Sequence, residues 1–193
     1  MQRTNAEIRK ENERLNTLLN FSQQYEYGNL PARIIGRDAD NLYSAITIDK
    51  GSKHGVKKNM PVIAVQQGRV GLVGKIVTVG AYTSMIMPIY DLQCSVSARI
   101  QHTRDLGLIN GGGSPDAPLE MNYIKKRVLD QLQFGDIIVT SGENGNYLRE
   151  IPIGTIHSVS VVDYDTSLLI SVTPIVDFSR LEEVIIVNTA EKN

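Results

Sequence analysis

The segment Gly68-Arg-Val-Gly-Leu-Val-Gly-Lys-Ile-Val-Thr-Val-Gly80 sets four glycines into a run that is otherwise strongly β-forming. A glycine in a strand interior leaves nothing to pack, so it marks a bulge, a sharp bend or a close backbone approach. Placed around Val70, Leu72, Val73, Ile76 and Val77, the four predict a strand that bends hard, as at a barrel corner. A glycine-rich hairpin in an ordinary sandwich is the alternative. A phosphate-cradling loop is disfavoured, because no helical pattern follows and no Lys-Ser/Thr pair stands at Walker spacing.

From Ala32 onward the chain alternates as strands do. Ile46 and Ile48 alternate with Ala45 and Thr47; Cys94, Val96, Ala98 and Ile100 alternate with serines and Arg99; Leu168, Ile170 and Val172 form one face. Residues 125–134 are ambiguous between a short helix and a loop. About a dozen short strands between Gly-rich turns predict a mainly β protein, sandwich or barrel. The counts fit two small six-stranded β-barrels, with residues 57–117 inserted into a barrel of 29–56 plus 118–193. A tandem cut near Gly111 fits nearly as well.

Residues 3–27 form the one long helical signal, free of Gly and Pro. Ile8, Leu15 and Ser22 fall at heptad position a, with Glu11, Leu18 and Tyr25 at d and Leu19 beside the seam. Such a short stripe is marginal alone. The helix either packs on its own chain or pairs in a parallel coiled coil, and its terminal position and polar circumference favour pairing. The dimerisation residues are then Ile8, Leu15, Leu18, Leu19 and Tyr25. The chain starts abruptly within this charged helix, as a piece cut from a longer protein would, and no apolar run approaches the ~20 residues that span a bilayer.

At 193 residues and a formal net charge of −1, the chain has no long-range attraction for nucleic acid or anionic membrane. The triplet Lys125-Lys126-Arg127 lacks an aromatic platform beyond Tyr123 and reads as a solvated face. The lone Cys94 excludes an internal disulfide and a Cys-based zinc site, and reads as a small core residue. His54, His102 and His157 share no ligand spacing, and Asp163 and Asp165 read as turn residues. A chymotrypsin-like triad threads only as His54, Asp91 and Ser141, with Gly135-Asp136 separated from Ser141-Gly142 by four residues. His54 sits among lysines, and Asp91 in a turn-like segment. No enzyme, metal or cofactor is expected.

Several stretches together resemble a known family. They are Ile48-Asp49-Lys-Gly51…Gly55-Val56-Lys-Lys-Asn59-Met60-Pro-Val62; Gly71-Leu-Val-Gly74-Lys-Ile76; Tyr90-Asp91; Arg104-Asp-Leu-Gly107-Leu-Ile-Asn-Gly111; and Gly135-Asp136-Ile-Ile-Val-Thr140-Ser141-Gly142…Ile151-Pro152-Ile153-Gly154. In this order, after a Leu-bearing helix, they resemble the extracytoplasmic part of MreC, the bacterial rod-shape-determining family. One departure stands out. The family commonly has an aromatic-Pro-x-Gly where this chain has Tyr147-Leu148-Arg149-Glu150, which predicts a different local turn.

The resemblance implies an N-terminal membrane anchor ahead of a coiled-coil helix and two β-barrels without a protease site. It implies a non-enzymatic scaffold on the extracytoplasmic, periplasmic face of the inner membrane. That scaffold would form a homodimer through the helix, bind a class-B penicillin-binding transpeptidase, and join MreD and the MreB cytoskeleton. Gly51, Gly55, Gly71, Gly74, Gly135, Gly142 and Gly154 are then structural turn positions, and exposed strand edges or apolar patches the docking surfaces. The alternatives are a degenerate chymotrypsin-like hydrolase and a peptide-binding β-barrel module.

Overall fold

The computed structural model describes residues 5–24, 29–38, 44–143 and 147–188. One helix, α1 (Asn5–Gln24), precedes twelve strands. These are β1 (Asn29–Asp38), β2 (Ala45–Ile48), β3 (Pro61–Gln66), β4 (Arg69–Val79), β5 (Ser84–Pro88), β6 (Ser95–Ile100), β7 (Leu106–Asn110), β8 (Leu119–Lys125), β9 (Ile137–Thr140), β10 (Pro152–Val161), β11 (Ser167–Pro174) and β12 (Glu183–Val187). The ambiguous stretch after β8 becomes a 3-10 turn at Lys126–Gln131, with Val128 buried.

The strands close into two six-stranded barrels, in the orders β1-β12-β3-β4-β5-β2 and β10-β11-β8-β7-β6-β9. The inserted unit is therefore residues 95–174, and the outer barrel is 29–88 closed by 183–187. This corrects both the expected insertion of 57–117 and the tandem cut near Gly111. β5 pairs β2, with Ile86 opposite Ile46, and β12 pairs β3, with Ile185 opposite Ile63. Segment 61–88 is thereby tied into the outer barrel. β7 pairs β8, with Ile109 opposite Met121, across the proposed cut. Strand counts fix how many strands there are; only pairing between distant segments decides the partners.

Alternation places the core. Val96, Ala98 and Ile100 are buried on one face of β6, and Leu168, Ile170 and Val172 on one face of β11. Val184–Val187, apolar throughout, is buried throughout because β12 is covered on both faces. The two barrel interiors belong to one continuous hydrophobic cluster, which includes Tyr90, Val176, Phe178 and Leu181 from outside the strands.

The glycine-rich segment is β4, and it carries two bulges. Against β3, Val62 faces Gly74 and Ile63 faces Leu72, so Val73 is extra. Against β5, Ile76 faces Ile86 and Thr78 faces Met85, so Val77 is extra. Two bulges so close together bend a strand sharply and raise its twist, which lets it turn a small barrel's corner. Gly74 sits between them. A Cβ there would lie 2.0 Å from the carbonyl oxygen of Met87.

Candidate functional site

The candidate catalytic residues each have local partners. His54 ends a 3-10 turn (Ser52–His54), and its Nδ1 accepts the Gly51 N–H at 3.0 Å. Asp91 is buried, its carboxylate accepting the N–H of Ser44 at 2.7 Å and of Gln93 at 2.8 Å. Ser141 Oγ donates to Ser97 Oγ at 2.8 Å and accepts the Glu143 N–H at 3.1 Å. The three are thus spread over different elements with separate partners. His102 lies 3.5 Å from Asp136 on an exposed turn, and His157 lies edge-on to Phe134. Asp165 accepts the Ser167 N–H within the β10–β11 hairpin. Among the described residues, no group of three or more His, Cys, Asp and Glu is placed to hold a metal ion.

Cys94 is buried at the end of the linker that enters the second barrel, its Sγ 3.9 Å from the hydroxyl of Tyr147. Burial pushes the Cys94 thiol up to about 11, and burial likewise raises the Tyr147 phenol. A thiol held protonated is a poor nucleophile.

Two further surfaces stand out in the geometry. The first is α1, which lies against β3. Its charged residues Glu7, Lys10, Glu11 and Glu13 line a groove of about 760 Å3 facing Gln66, Arg69 and Arg180. The charged side of the helix thus faces a part of the barrel that carries Arg69 and Arg180 together with Asp177, and Ile8 is left 44% exposed. The side chains of Leu15, Leu18 and Leu19 lie outside the described set, as does Tyr25 altogether. No helix among the described residues is long and apolar enough to cross a membrane.

The second is the joint between the barrels, built by the two linkers that leave and re-enter the outer barrel. Tyr90 packs edge-on against Phe178, with ring centroids 4.8 Å apart. The Arg37 guanidinium donates to the carbonyls of Phe178 and Leu181. Gln66 and Asp177 exchange two bonds: Gln66 Nε2 donates to the Asp177 carbonyl at 3.0 Å and the Asp177 N–H donates to Gln66 Oε1 at 2.8 Å. Gly71 lets β4 approach Ile175 and Val176, where a Cβ would come within 2.6 Å of a Val176 methyl. Sequence reasoning missed Arg37, Gln66, Phe178 and Asp177, because each acts across more than 100 residues and none sits in a local motif.

Of the other glycines expected at turns, Gly55, Gly135 and Gly142 take φ of +88°, +86° and +72°. Gly51 and Gly154 have no room for a Cβ, each facing a carbonyl oxygen at 2.4 Å. The anomalous Tyr147–Glu150 segment has its own solution. Glu150 adopts φ +62° and Arg104 φ +64°, and their side chains pair at 2.6 Å. The Arg104 guanidinium, hydrogen-bonded to Glu150, holds that carboxyl below the usual glutamate range.

Two fused closed six-stranded barrels and a helix, with broad grooves as their concavities, define the class of fold. The comparisons specify the family. The model of the family described as rod shape-determining protein MreC, barrel core, matches residues 34–188. The chain belongs to the MreC family. The cell shape-determining protein MreC of Listeria monocytogenes is 32% identical over 183 residues, covering 93% of this chain and 60% of that protein. That of Haemophilus influenzae is 26% identical over 180 residues, covering 93% of this chain and 49% of its own length. Against both relatives, then, the chain spans less than two thirds of the whole protein. A solved MreC structure superposes with a TM-score of 0.80 at 25% identity, over 94% of this chain and 99% of that one. A Helicobacter pylori MreC solved in complex with the penicillin-binding protein PBP2 shares the fold, with a TM-score of 0.60 at 14% identity over 83% of this chain and 98% of that one.

Proposed function

We propose that this chain is the extracytoplasmic scaffold portion of a membrane-anchored shape-determining protein, working without catalysis by binding and positioning a peptidoglycan transpeptidase. Family membership over residues 34–188 carries the reading. The partner class is supported by the Helicobacter pylori MreC, which was solved bound to a penicillin-binding protein. A periplasmic location and links to MreD and MreB belong to the same proposal, with family membership as their support. The seven glycines at 51, 55, 71, 74, 135, 142 and 154 serve the backbone of the scaffold.

Dimerisation through α1 is part of the same reading. A helix that turns its charged side to its own barrel and leaves Ile8 exposed suits a second copy better than self-packing. Sedimentation over a concentration series tests both parts. The full chain is expected to dimerise and residues 29–193 to stay monomeric, and the full chain to bind a class-B transpeptidase ectodomain. Equal masses for the two chains would remove the role given to Ile8, Leu15, Leu18, Leu19 and Tyr25. Absence of any transpeptidase complex would remove the scaffold role.

A further inference from the structure

β10 is paired along nearly its whole length on one side and along barely half of it on the other. Toward β11 the register runs from Gly154 to Val161. Toward β9 it stops at Thr155, opposite Ile137. The last bonds on that side run from the Gly135 N–H to the Ile156 carbonyl and from the Ile156 N–H to the Asp136 carbonyl, both 2.9 Å. The turn at Gly135, with φ +86°, then carries the chain away. Residues 157–161, His-Ser-Val-Ser-Val, are left with no strand on their outer edge among the described residues.

The second barrel has another such edge, and it is guarded. β7 pairs β8 only as far as Asn122. Immediately beyond, Tyr123 takes φ +71° and Lys125, Lys126 and Arg127 follow. A kink and a run of like charges are the usual means of keeping a stray strand from pairing. The β10 edge has neither a charge nor a proline in its five residues, and its one bulge lies at the beginning, between Ile156 and Ser158. Apolar side chains flank it. Phe134 is 80% exposed with its ring 6.1 Å from that of His157, and Val161 is half exposed.

We propose that residues 157–161 of β10 are the docking edge for an extended segment of the transpeptidase, which adds to the sheet as a further strand with Phe134 beside it. The assignment rests on the scaffold reading above and gives it an address. A row of unpaired backbone N–H and C=O groups is complementary to another extended backbone, and the small Ser158 and Ser160 let it approach. A second copy of this chain fits the edge badly. Antiparallel self-pairing about Val159 would set Asp163 of one copy against Thr155 of the other, where β9 already sits. It would also drive Asp163 and Asp165 toward the Asp136 turn, like charge against like.

The test uses the full chain and a class-B transpeptidase ectodomain from the same organism. Amide exchange over 157–161 is expected to slow in the complex. Ser158→Lys with Ser160→Lys, both at exposed positions, is expected to weaken binding about thirty-fold, the loss of two or three net backbone bonds, with an unchanged melting curve. Phe134→Ala is expected to weaken binding while leaving the fold intact. Wild-type affinity in the lysine variant, or protection mapping elsewhere, overturns the docking edge and leaves the scaffold reading standing. Failure of the wild-type chain to bind at all removes the scaffold reading and the edge with it. A lysine variant that loses self-association but keeps transpeptidase affinity overturns the choice of occupant. If the lysine variant unfolds, the exchange map of the wild-type complex and Phe134→Ala decide.

Discussion

Gly74→Ala adds one methyl to β4, and the structure says what it would strike. The new Cβ would stand 2.0 Å from the Met87 carbonyl oxygen, 2.9 Å from its carbon and 3.0 Å from the Pro88 Cα. All three are backbone atoms of β5, the strand that pairs Gly74 with Pro88. Ordinary contact would require β5 to retreat by about 1.4 Å, against a strand spacing of about 4.8 Å. No rotamer change can supply that, so the β4–β5 ladder must open at its Gly74–Pro88 end. Overpacking that moves backbone costs about 3 kcal/mol, and a domain of this size loses about 2–4 °C per kcal/mol. The expected drop in thermal midpoint is about 6–12 °C, read by circular dichroism. Gly71→Ala is the internal control. Its Cβ meets side-chain methyls of Val176 and Ile175 at 2.6 and 3.3 Å, which can yield, and its expected cost is about 1 kcal/mol. A Gly74→Ala midpoint within about 1 °C of wild type, or a larger loss for Gly71→Ala, would refute the argument that β4 is shaped by backbone approach.

Two further outcomes follow from buried groups. Burial raises Cys94 from 9.0 to about 11 and raises Tyr90 and Tyr147 as well. The folded state therefore holds protons that the unfolded chain releases, and stability is complete below about pH 9 and falls as pH rises toward 11. Cys94 alone contributes a loss of about 2 kcal/mol by about pH 10.5. Urea unfolding at pH 8 and 10.5 checks it, and a flat profile would show that the thiol is not shielded. Phe178 is 1% exposed and packs on Tyr90, so Phe178→Ala should cost about 3–5 kcal/mol and speed amide exchange first at the linkers, 89–94 and 175–182. Exchange that quickened instead within β6 and β7 would place Phe178 outside the joint.

The strands were legible because alternation is a local signal. Val96, Ala98 and Ile100, or Leu168, Ile170 and Val172, declare their buried face within six residues. The bend in β4 was legible for the same reason, since glycines at 71 and 74 mark it in sequence. Which barrel each strand joins was not legible. Ile86 meets Ile46 and Ile185 meets Ile63 only after closure over tens to more than a hundred residues, and nothing in either segment names the other. Closure also alters the docking expectation, because a closed barrel offers an edge only where neighbouring strands differ in length, as β10 and β9 do. The segment around Glu150 was half legible. Loss of the family's glycine pointed to a changed turn, yet Glu150 keeps a left-handed backbone at φ +62° and adds a carboxylate that holds Arg104. A left-handed non-glycine residue costs about 1 kcal/mol, and that pairing accompanies it here.

Insertion of one barrel within the other has a mechanical consequence that a tandem arrangement would lack. In tandem, a single linker would join the barrels and torsion about it would be cheap. Here the chain leaves the outer barrel after β5 and returns through 175–182 to β12, so two covalent connections cross the same joint. They are tied to each other by Tyr90 on Phe178, and to the outer barrel by Arg37 on the carbonyls of Phe178 and Leu181 and by the Gln66–Asp177 exchange. β4 adds a third contact through Gly71, and the Ile175 N–H donates to the Ile153 carbonyl at 3.0 Å, locking the return linker to the start of β10. The open edge at 157–161 lies farther along that same strand. The edge is thus carried on the element whose base is fixed to the joint, which gives a partner docked there a defined orientation relative to the outer barrel and the helix packed on it. In the proposed scaffold role, orientation held through two linkers is the property the insertion supplies.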